Sequence, residues 1–222
     1  SDKCYENLKL IRGYHEKDRL GGHDPYSASK ASAEIVFKSF FNSILKKNKK
    51  MRIATARAGN VIGGGDWSSD RLIPDCVKAW VLNKKVNIRH LDATRPWQHV
   101  LEPLSGYIIL SYYLQKNSRI NGHSFNFGPK FNEIASVKKV LQISQKFWSN
   151  AKFNIYKENF FKEDHLLRLN SIKANKTLKW KKILSIEKTV ELTMSWYKNF
   201  YNKQNVKDLL NEDISFYIKS KI

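Results

Sequence analysis

The chain has 222 residues, 41% of them apolar and 13% aromatic, enough for one large domain or two small ones with real cores. No apolar run reaches the roughly 18 residues of a membrane-spanning helix, and two cysteines, Cys4 and Cys76, are too few for a disulfide framework, which makes a reducing, cytoplasmic setting the expectation. The net charge of +20 points first to nucleic acid, but it is spread evenly, and 31 of the 40 basic residues are Lys rather than the Arg that base and phosphate readers favour.

Asp24 as N-cap and Pro25 at the first helical position open a helix expected over residues 25–47. Its apolar positions Ala28, Ala31, Ile35, Phe40 and Ile44 recur at helical spacing, and KKNKK closes it with cations at the negative end of the dipole. MRIATARAGNVI then predicts a buried strand running into the loop GGGDW. Residues 74–83 read as helix, 86–90 and 96–100 as strands, EPLSGYIILSYYLQK as helix and HSFNFG as a short strand. Beyond residue 131 come a helix at 136–148, a strand at 152–157, and helices near 171–179 and 186–203. The tail after about residue 204 is polar and expected to be peripheral. Strands alternating with helices predict an α/β fold with a parallel sheet. Trp80, Trp148, Trp180 and Trp196 sit at helix positions suited to core packing.

A doubly wound sheet that binds a dinucleotide carries a glycine-rich turn after its first strand. Gly63-Gly64-Gly65 follows a strand, but Asp66 and Trp67 stand behind it instead of the start of a helix, so it fails as a cofactor fingerprint. The opening SDKCYENLK has neither a leader nor an initiating Met. Together these features predict the C-terminal portion of a longer protein, with the glycine-rich half outside it.

The chemistry concentrates in GGHDPYSASKAS. Tyr26 and Lys30 are one helical turn apart and share a face. A phenol is a poor base near neutral pH until a nearby ammonium and the positive end of a helix favour its ionised form. Such a pair can take a proton from an alcohol while a neighbouring cofactor takes the hydride. No histidine or cysteine spacing suggests a metal.

With the hydroxyl, carboxylate and ammonium of Ser1, Asp2 and Lys3 upstream, this pair resembles the extended short-chain dehydrogenase/reductase superfamily. Within it, SDKCYEN, GYHEKDRLGGHDPYSASKASAE, RAGNVIGGGDW, DRLIPD and ATRPWQHVLEPLSGY are similar to the CDP-glucose 4,6-dehydratase family, most densely over residues 1–130. The resemblance implies an incomplete doubly wound, Rossmann-like parallel sheet with a smaller mixed α/β substrate domain. Residues 1–60 and 96–130 would belong to the NAD-binding domain, and 61–95 and 131–222 to the sugar-nucleotide domain. It implies a hydro-lyase that uses NAD: C4 of the glucose is oxidised, water is eliminated across C5 and C6, and the hydride returns to C6. Tyr26 would be the C4 base, Lys30 would tune it and hold the nicotinamide ribose, and Ser1 would hydrogen-bond the C4 oxygen. Asp2 would protonate the departing C6 hydroxyl, and Lys3 would take the C5 proton. Arg95 would pair with the diphosphate, Arg71 and Leu72 would line the nucleotide, and Asn60, Asn126 and His165 would contact the substrate.

The same resemblance implies a cytoplasmic homodimer acting on CDP-glucose or a related nucleotide sugar. Its product would serve deoxysugar biosynthesis for surface polysaccharides such as lipopolysaccharide O-antigen, with no nucleic-acid or membrane partner. A nucleotide-sugar epimerase or a dTDP-glucose-type dehydratase of the same superfamily is the alternative of the same class. A basic nucleic-acid-binding module is the alternative of another class.

Overall fold

A computed structural model describes residues 1–48, 50–130, 133–155 and 168–221. The chain forms two compact units. The first comprises Ser1–Gly59, Glu102–Asn132 and Leu166–Lys182, the second Asn60–Leu101, Glu133–His165 and Ile183–Ile222.

In the first unit, helix α1 (Pro25–Ser43) starts where Asp24 and Pro25 place it and is followed by a one-turn 3-10 helix at Leu45–Lys47. Strand β1 (Thr55–Ala58) pairs in parallel with β6 (Ser124–Phe127), Thr55 opposite Ser124 and Ala58 opposite Phe127. The long helix α3 (Leu101–Lys116) lies between them in the chain. Phe125, Phe127, Leu110 and Ile120 close a core with Ala174 and Leu178 of α5 (Ile172–Leu178) and with Trp180, whose indole N–H reaches the Glu102 carbonyl at 3.2 Å. A smaller cluster joins Cys4, Tyr5, Tyr14 and Leu169. The expectation for α1 fails in its register. Ser27, Ala31 and Phe41 are its buried residues, whereas Ile35, Phe40 and Ile44 are exposed. The helix therefore touches this unit along a narrow, partly polar stripe rather than along its apolar one.

Among the described residues, the second unit carries three two-stranded ladders. Strand β2 (Val61–Ile62) pairs in parallel with β5 (Gln98–His99), and β3 (Val86–Ile88) in parallel with β8 (Phe153–Ile155). Strand β4 (Thr94–Arg95) runs antiparallel to β7 (Ala135–Ser136). Helices α2 (Leu72–Val81), α4 (Val137–Phe147), α6 (Ile186–Tyr201) and α7 (Val206–Lys219) supply the rest. The core gathers Ile73, Cys76, Trp80, Val140, Leu141, Met194, Trp196 and Tyr197. Trp148 packs against it from a partly buried position.

Three expectations are corrected. The polar tail after residue 204 is helix α7, capped by Asn205, and it buries Leu209 and Tyr217 in the second unit. Residues 96–101 lie in the second unit, because Gln98 and His99 pair with Val61 and Ile62. Residues 168–182 lie in the first, because α5 and Trp180 complete the core over Phe125 and Phe127. Among the described residues, no helix is long and apolar enough to cross a membrane, and no group of three His, Cys, Asp or Glu could hold a metal.

Candidate active site

The N-terminal segment is drawn to the start of α1 by backbone hydrogen bonds. Tyr5 bridges Leu20 in antiparallel fashion, the Glu6 N–H donates to the Arg19 carbonyl at 3.0 Å, and the Gly21 N–H to the Cys4 carbonyl at 3.1 Å. Gly22 then passes so close to the backbone of Ser27 and Ala28 that a side chain at this position has no room. Ser1 Oγ accepts from the Lys3 N–H at 3.1 Å, which turns the segment back on itself.

Helix α1 opens on a complete capping box. Asp24 Oδ1 accepts from the N–H groups of Tyr26 and Ser27 at 2.9 and 3.0 Å, while Ser27 Oγ bonds back to the cap residue. The Ser27 hydroxyl above all, then the backbone donors, hold the Asp24 carboxyl below the usual carboxylate range. The Lys3 ammonium adds to the effect, which brings the Lys3 charge to the helix start.

Tyr26 is 57% exposed, so its phenol does not belong to the core. Lys30 Nζ lies 5.2 Å from the centre of its ring, within cation–π range. The pair thus shares one solvent-facing stripe. Asp2 is buried beside Cys4, whose thiol is pushed up to about 11 mainly by burial.

Asn60, Arg71, Leu72 and Arg95 all fall in the second unit. The Asn60 carbonyl accepts from the Gln98 N–H at 3.0 Å, just ahead of the β2–β5 ladder. Arg71 is the N-cap residue of α2; its side chain is 61% exposed, 3.8 Å from the Asp66 carboxylate. Leu72 packs on the core. Arg95 is buried at 5% exposure, with one arm on the Thr94 carbonyl at 2.9 Å.

Asn126 calls for a correction. It is fully buried and its amide is committed: Oδ1 accepts from the Tyr5 hydroxyl at 2.7 Å, and Nδ2 donates to the carbonyls of Tyr14 at 2.9 Å and Asn170 at 3.3 Å. Both ends of the amide are engaged inside the first unit. His165 lies outside the described residues. The glycine run has its own role: a Cβ on Gly64 would fall inside the Trp196 indole, and one on Gly65, whose φ is +79°, would sit 3.5 Å from it.

Two groupings went unread in the sequence. Glu34, Arg57 and Tyr5 form a buried polar chain in the first unit, hinted at only by an arginine inside the small-residue strand TARA. In the second, His99 lies 3.9 Å from Asp213 of α7, and no motif connects them.

Parallel ladders crossed by helices, with a Tyr-x-x-x-Lys pair at a capped helix start, define a Rossmann-like α/β chain of the dehydrogenase/reductase type. Residues 1–193 match the family described as GDP-mannose 4,6 dehydratase, and the chain belongs to that family. It is 38% identical over 225 residues to the CDP-glucose 4,6-dehydratase of Salmonella typhimurium, covering 99% of this chain and 63% of that protein. It is 29% identical to the dTDP-D-glucose 4,6-dehydratase of Dictyostelium discoideum, over 90% of this chain and 51% of the other. A dTDP-glucose 4,6-dehydratase from Bacillus anthracis, solved in complex with NAD, superposes with a TM-score of 0.74 at 21% identity, over 90% of this chain and 60% of that one. The chain therefore spans less than two thirds of the length of these relatives.

Proposed function

We propose that the protein containing this chain is an NAD-dependent hydro-lyase that converts CDP-glucose to CDP-4-keto-6-deoxyglucose. The observation that carries the reading is the Tyr26–Lys30 pair at the capped start of α1, with the Tyr26 ring exposed and Lys30 Nζ 5.2 Å from its centre. The 38% identity to a CDP-glucose enzyme supports the choice of nucleotide.

The residues present fit one end of NAD. The Lys30 ammonium and the exposed Tyr26 hydroxyl suit a ribose diol beside a nicotinamide, whereas the glycine run is filled by Trp196 and offers nothing to a diphosphate. NAD, when bound, supplies the hydride acceptor for C4 and the donor for C6.

The remaining steps are proton movements by this chain. Tyr26 takes the proton of the C4 hydroxyl, and Ser1 steadies the same oxygen by a hydrogen bond. The C4 ketone acidifies the C5 proton, which Lys3 accepts in its neutral form. Asp2, in its protonated form, gives its proton to the C6 hydroxyl, which leaves as water. Lys3 returns its proton to C5 as C6 is reduced. The proton left on Tyr26 replaces the one Asp2 gave up, through solvent. Asn60, Arg71, Leu72 and Arg95 are assigned to the sugar nucleotide, Arg95 as a two-armed partner for the diphosphate.

The reading carries a cytoplasmic homodimer with it. Two free, buried cysteines suit a reducing setting. The test is to incubate the complete protein that contains this chain with NAD and CDP-glucose and to look for a product lighter by one water. Product from dTDP-glucose alone moves the substrate; product from no nucleotide sugar overturns the reading. Asp2→Asn separates a dehydratase from an epimerase, which expels no C6 hydroxyl and needs no acid there: a loss of roughly a hundredfold or more is expected for a lost general acid in a dehydratase. Nucleic-acid binding, the reading from the +20 charge, requires steeply salt-dependent retention in a filter assay.

A further inference from the structure

Helix α1 is anchored by few apolar contacts, since Ile35, Val36, Phe40 and Ile44 all face outward. A polar anchor takes over on its inner side. Tyr26, Lys30 and Glu34 follow one another at four-residue spacing, so all three lie along one side of the helix. Glu34 Oε2 accepts from Thr55 Oγ1 at 2.9 Å and from Arg57 at 2.6 Å, both on β1. Arg57 is buried; a second arm of its guanidinium donates to the Tyr5 hydroxyl at 2.8 Å, and its Cζ lies 5.1 Å from the Tyr5 ring centre. The Tyr5 hydroxyl donates onward to Asn126 Oδ1 on β6 at 2.7 Å. Tyr5 stands two residues after Lys3.

The geometry points to Glu34, Arg57 and Tyr5 as positioning residues that set the helix turn bearing Tyr26 and Lys30 against the segment bearing Ser1, Asp2 and Lys3. None of the three is assigned a step in the chemistry: the Glu34 carboxylate is engaged by Thr55 and Arg57, and Arg57 and Tyr5 are buried. Each link is a directional, charge-assisted or fully buried hydrogen bond, so a change of one atom shifts the helix relative to the segment rather than loosening both equally. Burial favours the neutral form of Glu34, but the Arg57 bond and charge, with the hydroxyls of Thr55 and Ser124, hold its carboxyl below the usual range. The pair stays ionised and the clamp stays closed at neutral pH. The inference rests on the dehydratase reading of Tyr26 and Lys30.

The test uses the complete protein with Tyr5→Phe, which keeps the ring stacked 5.1 Å from that of Tyr14 and removes the hydroxyl joining Arg57 to Asn126. Two readouts are taken. The first is the NMR signal of ring-labelled Tyr26, assigned with Tyr26→Phe and followed through its pH titration without cofactor. The second is kcat and KM with NAD and CDP-glucose. The expected result is a displaced Tyr26 titration curve and a kcat lower by roughly ten- to a hundredfold, with KM changed by no more than about threefold, the pattern of a misplaced group. Glu34→Gln, which keeps an acceptor for Thr55, is expected to lose less than Glu34→Ala. A lower melting temperature with an unmoved titration curve and unchanged kcat overturns the inference, for the chain is then structural only. If the wild type makes no product, the dehydratase reading fails while the titration still decides positioning. If Tyr5→Phe does not fold, Glu34→Gln is judged by the same two measurements.

Discussion

Replacing Gly64 by alanine tests whether the glycine run is a packing device or a ligand cradle. The new methyl group has to enter space held by the Trp196 indole. That ring cannot retreat freely: it is buried, stacked on Phe200 at 5.4 Å with an 8° interplanar angle, and met edge-on by Tyr197 at 5.4 Å. Overpacking a full core typically costs about 1–3 kcal/mol, and a clash with a boxed-in ring belongs at the upper end, about 3 kcal/mol. For a chain of 222 residues such a loss lowers the melting temperature by roughly 6–12 °C, measured by calorimetry of the complete protein. Trp196→Leu should relieve the clash, so the two changes together should cost less than their sum by about 1 kcal/mol or more. A Gly64→Ala protein with unaltered melting but weakened nucleotide binding would refute this account and return the run to the list of phosphate-binding loops.

Two further outcomes follow from buried polar groups. Asn126→Leu strands the Tyr5 hydroxyl and leaves the Tyr14 and Asn170 carbonyls short of a donor; a loss of about 2–5 kcal/mol is expected in urea unfolding, with KM for the sugar nucleotide changed little. The His99–Asp213 neighbours govern a pH response. Burial lowers His99 to about 4, so between its ordinary 6.5 and 4 the unfolded chain takes the proton first and stability falls with falling pH. Burial first, then Glu212, raises Asp213 to about 6 from 3.8, so in that window the folded chain takes the proton first and stability rises with falling pH. The two responses oppose each other. Asp213→Asn should expose the His99 slope, a steeper loss by about 2 kcal/mol between pH 6.5 and 4.5 in urea midpoints; curves parallel to the wild type would show that the Asp213 carboxyl does not oppose it.

Where structure is decided within one turn, the sequence was legible. Asp24 and Pro25 mark the first residue of α1 because a cap and a missing N–H act locally, and Tyr26–Lys30 could be read because a spacing of four is local as well. The far end of α1 was read too late: the lysines after residue 45 continue the charge pattern but not the α-helix. Helix α7 was read as a polar tail although Val206, Leu210, Ile214 and Ile218 recur at helical spacing, because charged and amide residues interrupt that stripe; only Leu209 and Tyr217 are buried. Its outward apolar face also shows why the stripe of α1 misled: spacing reveals that a face is apolar, not that something covers it. The interleaving of the two units depends on strand pairings such as Val61 with Gln98 and on Trp180 reaching Glu102, contacts that no local pattern encodes. Asn126 was misassigned for a related reason, since an asparagine at a strand end reads the same whether its amide is open or spent.

The buried polar chain behind α1 has a consequence for how the site is maintained. Burying an arginine and a glutamate is an inefficient way to stabilise a fold; well-packed apolar residues of the same volume are often as good or better. Here the helix that carries Tyr26 leaves its apolar stripe outside and is held on its inner side through Glu34, so much of its placement depends on hydrogen-bond direction. Hydrophobic contacts tolerate small slides, whereas a guanidinium held at 2.6 Å by one carboxylate oxygen and at 2.8 Å by a hydroxyl does not. In the proposed reaction an alcohol proton has to be met at hydrogen-bond distance by one phenol, beside a C5 proton and a C6 hydroxyl assigned to two other side chains. Holding those groups in register is a demand on direction, and the interior of the first unit is built to meet that demand rather than to maximise buried apolar area.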